Sequence, residues 1–78
     1  MKTIKLQIPD ETYDTLKAVV DCCNFADKSR QGGTSHGQLD VTKLLLMLAD
    51  DAAMTYTRPG SWEGANMQQV LDSHGYYR

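Results

Sequence analysis

Residues 3–16 read TIKLQIPDETYDTL, and the hydrophobic period changes halfway through them. Thr3, Lys5 and Gln7 alternate with Ile4, Leu6 and Ile8, the period of two expected of a half-buried strand over 3–8. Pro9 cannot donate to a ladder and closes the strand. Asp10 then reads as an N-cap, with Glu11 beside the positive helix end. Tyr13, Leu16, Val20 and Cys23 follow at helical spacing, which predicts a helix over 10–24. A single strand leaves unpaired backbone groups on both edges. The pattern therefore predicts that the strand pairs with its twin in a dimer.

Further along, residues 25–39 form a polar loop with three glycines, Gly32, Gly33 and Gly37. A second helix is expected over 40–56, capped by Asp40 or Thr42. Its VTKLLLMLADDAAM run is apolar almost all round, with Lys43, Asp50 and Asp51 marking a narrow wet face. So apolar a helix belongs inside a core, and a chain of 78 residues has little to surround it, which again points to a second subunit. Pro59 and Gly60 make a turn. Ser61 caps a short helix and tail over 61–74, and Gly75 stands where a left-handed C-cap is wanted. The expected fold is one domain, 1–78, mainly α with one N-terminal β-strand, in a β-α-α order plus a short C-terminal helix, as an intertwined homodimer.

Composition bounds the function. The net charge of −2 argues against a broad non-specific nucleic-acid binder. MKTIKLQIPD lacks the apolar segment of a signal peptide, and the run Leu44–Ala49 is too short to span a bilayer, so a cytoplasmic, non-membrane protein is expected. Cys22 and Cys23 are adjacent and read as reduced thiols.

TIKLQIPDETYDTLKAVV resembles the start of ribbon-helix-helix DNA-binding regulators, and LDVTKLLLML is similar to the start of their second helix. Residues 24–38 replace that family's short turn, and about twenty residues follow Tyr56. The resemblance implies a paired ribbon in the major groove, with Thr3, Lys5 and Gln7 reading bases. It also implies that the helix start at Val41, Thr42 and Lys43 holds a phosphate. Lys and Gln suit contacts to guanine and adenine edges, helix N-termini favour anions, and Lys28 and Arg30 in the loop could touch the DNA backbone.

Other chemistry is weakly supported. Gly32 and Gly37 have the glycine spacing of a phosphate-binding loop, but Gln38 and Leu39 stand where Lys and Ser or Thr are required. Cys22, Cys23, His36 and His74 lack the paired spacing of a structural zinc site. Ser35, His36 and Asp40 are near in sequence, which does not make a triad. No catalytic residues, metal or cofactor are expected. In the tail, Arg58, Trp62, Met67, Tyr76 and Tyr77 have the residue types enriched at binding hot spots. Two functions follow: a small dimeric regulator of phage, plasmid or antitoxin type that binds double-stranded DNA, or a non-catalytic protein that occludes a host or partner protein through its C-terminal helix and aromatic tail.

Overall fold

A computed structural model describes all 78 residues and contains three helices and no β-strand. They are α1 (Asp10–Ser29), α2 (Val41–Thr57) and α3 (Trp62–Ser73). Two compact units divide the chain, Met1–Leu44 and Leu45–Arg78, with the boundary inside α2.

The strand expected over 3–8 is the main correction. Residues 1–9 are neither helix nor strand, and the backbone of residues 1–8 takes no part in the turn, loop and cap hydrogen bonds of the chain. Ile4 is 78 % exposed and Leu6 is also exposed, so the alternation does not seat an apolar face on a core. The physical reason is that a strand exists through its ladder, and even a two-stranded hairpin is marginal by itself. Nothing in the chain offers residues 3–8 an edge. With the strand goes the β-α-α order expected of the chain.

In the first unit, Pro9 and not Asp10 occupies the N-cap of α1, and its carbonyl accepts from the Tyr13 amide at 2.9 Å. Asp10 and Glu11 lie inside the first turn, and Lys28 lies in the last turn, both favourable to the helix dipole. Leu16, Val20 and Cys23 form the less exposed stripe, and Asn24 and Asp27 extend it. That polar extension explains why α1 runs to Ser29, five residues beyond the apolar period. The helix stops through a left-handed turn at Gln31 (φ 54°), where Gln31 N–H donates to Lys28 O and Gly32 N–H to Asp27 O.

Asp40 caps α2 by accepting from the Lys43 amide at 2.8 Å. Burial along α2 differs from the expected pattern. Leu44 is buried and Met47, Asp51 and Met54 are half-buried, whereas Leu46, Ala49, Ala53 and Tyr56 are exposed. Asp51 is therefore not on the wettest side, and an apolar stripe is.

Within the second unit α2 turns into α3 through a short connection closed by Ser61. Its hydroxyl accepts from the Gly64 amide at 3.0 Å and donates to the Arg58 carbonyl at 2.7 Å. Gly64 is buried, and a Cβ placed there would stand 2.5 Å from Arg58 O and 2.6 Å from Met54 O. Only glycine lets α3 approach the end of α2 so closely. At the far end Gly75 (φ 91°) completes the left-handed cap, with Gly75 N–H donating to Asp72 O and Tyr76 N–H to Leu71 O, both at 2.9 Å.

Candidate functional site

Two local constructions stand out, one in each unit. The first ties the loop after α1 back onto that helix. Asn24 clasps Leu39 as a neighbouring strand would: Nδ2 donates to Leu39 O at 3.0 Å, and Oδ1 accepts from Leu39 N–H at 2.7 Å. Asp27, which is buried, accepts from the Thr34 hydroxyl on one oxygen and from Gln38 Nε2 at 2.7 Å on the other. The Thr34 hydroxyl, then the Gln38 amide, hold the Asp27 carboxyl below its ordinary pKa, against an opposing desolvation effect. Loop residues 30–40 are thus an ordered structure whose every bond is internal. That order uses the loop's polar groups on α1 itself.

The second construction displays aromatic rings. Trp62 is the first residue of α3, immediately after the Ser61 cap, within the turn that the cap closes onto Gly64; yet the residue is 81 % exposed. Beside it lies an open depression of about 300 Å3 lined by Gly60, Ser61, Trp62, Ala65 and Asn66. That is the low end of small-molecule pocket sizes, which usually enclose their ligand. An open hollow of this kind suits a protruding side chain better than an enclosed substrate. At the other end of α3 both backbone groups of Tyr76 are held: its N–H donates to Leu71 O, and its carbonyl accepts from Gln68 Nε2 at 3.2 Å. The Tyr76 and Tyr77 rings nonetheless stand in solvent.

Of the residues expected to bind a partner protein, Arg58, Trp62, Tyr76 and Tyr77 are exposed and Met67 is half-buried. They do not form one cluster. Trp62 and Tyr76 lie at opposite ends of α3, whose twelve residues span about 18 Å at the helical rise per residue, with Tyr76 folded back onto Leu71. A surface of that span is the scale of a protein footprint. The unit carries four carboxylates (Asp50, Asp51, Glu63, Asp72) against two guanidinium groups (Arg58, Arg78), so its field is mildly acidic.

The residues assigned to DNA fall differently. Thr3, Lys5 and Gln7 lie on the extended N-terminal segment, with no strand to aim them. At the start of α2 the Asp40 carboxylate already occupies the Lys43 amide, so the chain supplies its own anion where a phosphate was expected. Thr42 and Lys43 are exposed and Val41 is half-buried. Lys28 and Arg30 are exposed at the end of α1.

Among potential reactive groups, Ser35 Oγ and His36 Nδ1 lie 2.6 Å apart on the surface, but Asp40 is engaged with Lys43. Cys22 and Cys23 are free thiols, and no group of three or more His, Cys, Asp or Glu residues is placed to hold a metal ion. No helix is long and apolar enough to cross a membrane. Residue types had pointed to Trp62 and the tyrosines. The Asn24 and Asp27 clasps had no signal, because Asn and Asp inside a helix look like solvated positions. Gly64 had one: a small residue three places after a capping serine.

The chain matches no protein-family model, no curated protein and no solved structure.

Proposed function

We propose that this chain is a small non-catalytic interaction protein that occludes a partner protein with its C-terminal unit. Trp62 is the anchor, and Tyr76 and Tyr77 supply a second contact at the far end of α3. The observation that carries this reading is the combination at Trp62: a place in the helix turn that the Ser61 cap closes onto the Gly64 amide, and a residue left 81 % exposed. Burying an aromatic side chain removes about 150–250 Å2 from water, so leaving one out on a fixed scaffold forgoes a stabilisation that a partner can supply. Pinning the backbone beforehand also lowers the ordering cost of association. The acidic balance of the unit favours a partner face that is apolar with a basic rim.

This reading is preferred to DNA recognition because residues 3–8, which were to present the base-reading side chains, form no strand in the chain. The test is capture of binding proteins by the full chain, compared with Trp62→Ala and with a chain lacking residues 75–78. A partner recovered by the native chain should be lost with Trp62→Ala and weakened by the truncation, while the helical circular dichroism of Trp62→Ala stays native. Equal recovery by all three chains would contradict the proposal.

A further inference from the structure

The open hollow beside Trp62 has a chemistry that narrows what can enter it. Trp62, Ala65 and Asn66 stand three and four residues apart, so they share one face at the start of α3, and Gly60 and Ser61 border the hollow from the turn before it. None of the five lining residues carries an ionisable side chain, so the hollow offers no counter-charge to an ammonium or a carboxylate. Its hydrogen-bonding capacity is also small. The Ser61 hydroxyl is spent within the chain, donating to Arg58 O at 2.7 Å and accepting from Gly64 N–H at 3.0 Å. Among the lining side chains there remain the indole N–H of Trp62, which can only donate, and the amide of the exposed Asn66.

These features select among ligands. An oligosaccharide brings hydroxyls all round its rings, and one indole and one amide can pair few of them. A Lys or Arg side chain finds no carboxylate in the lining. A proline-containing segment fits on each count. Its rings are neutral and apolar, each proline lacks a backbone N–H, and its carbonyls accept hydrogen bonds. Its polyproline II form is extended and set before binding, which suits an open hollow and lowers the entropy lost on docking. The surroundings add a charge preference. Glu63, next to Trp62, is exposed, and the carboxylates of the unit outnumber its guanidinium groups, so basic residues beside the prolines are favoured.

We propose that the hollow bordered by Gly60, Ser61, Trp62, Ala65 and Asn66 docks an extended, proline-containing segment of the partner protein. The indole packs on a proline ring, and the Asn66 amide donates to a carbonyl of the segment. This rests on the reading of Trp62 as the partner anchor and names the chemistry that it anchors.

Trp62 is the sole tryptophan, so its fluorescence reports on the site. The test is titration of the full chain with an oligoproline peptide ending in a pair of arginines. Comparison peptides of equal length replace the prolines by glycine and serine, or the arginines by glutamates. The oligoproline peptide should shift the emission to the blue and saturate below about 1 mM, and both comparison peptides should bind more weakly. Asn66→Ala keeps the reporter and favours the helix. It should raise the Kd about fivefold, the worth of one hydrogen bond. The proposal is overturned by the absence of a saturable shift, by equal affinity for either comparison peptide, by an unchanged Kd in Asn66→Ala, or by a response to a chitin or cellulose oligosaccharide in place of the peptide. A protein that the native chain captures and Trp62→Ala loses would keep the anchor role even then.

Discussion

Asp27 shows how a single residue can organise a segment that looks featureless in sequence. Its carboxylate takes hydrogen bonds from Thr34 and Gln38, and its carbonyl accepts from Gly32 N–H, so three points of the loop converge on one helical position. The consequence for pH has a definite sign. Because the folded carboxyl is held below its ordinary pKa, its stabilising contribution is complete above the ordinary aspartate range. It is lost as the pH falls through the depressed folded value. In acid titrations followed by circular dichroism, the native chain should exceed Asp27→Asn in stability at neutral pH, and the gap should close on acidification. Gln31 is the counterpart in strain. It adopts a left-handed conformation that costs a non-glycine residue about 1 kcal/mol, although a glycine follows immediately. Neither feature was legible beforehand. The composition DKSRQGGTSHGQ announced a loop, but which glycine would sit past the helix end depended on where α1 stopped, and that depended on Asn24 and Asp27 being used rather than solvated.

Among the elements, the helices were legible in type and the N-terminal strand was not. α2 and α3 lie within a residue of their expected limits because each begins at a capping side chain, Asp40 or Ser61, and ends at a glycine- or proline-marked turn. The strand failed for the opposite reason: alternation of Ile4, Leu6 and Ile8 is a local pattern, while strand formation depends on a partner edge that local pattern cannot supply. The junction of α2 and α3 is the best determined contact in the second unit. Gly64→Ala would drive a methyl group into two backbone carbonyls, which cannot yield as a side chain can. It should destabilise the folded chain by about 1–3 kcal/mol, the usual cost of overpacking. Urea denaturation measures this, and a Gly64→Ala variant as stable as the native chain would show that α3 does not approach α2 so closely.

For the molecule as a whole, the decisive quantity is how little apolar surface is hidden. Val20 and Leu44 are the only buried hydrophobic residues, and no side chain is fully enclosed. Meanwhile Ile4, Phe25, Leu46, Tyr56, Trp62, Tyr76 and Tyr77 stand well exposed. A small chain has few ways to compensate for so little buried apolar surface. That α2 is apolar over most of its length could be read from the sequence. Which faces stay open could not, since both sides of α2 are apolar and only packing selects one. Trp62 is the sole tryptophan, so its fluorescence isolates the residue on which the proposed function rests. The most direct measurement is therefore acrylamide quenching of Trp62 in the free chain and with a captured partner. In the free chain the ring should emit as a solvated indole and be quenched freely, and the partner should shift the emission to the blue and protect it. A Trp62 already blue-shifted and protected in the free chain would make it a core residue and contradict the interaction role.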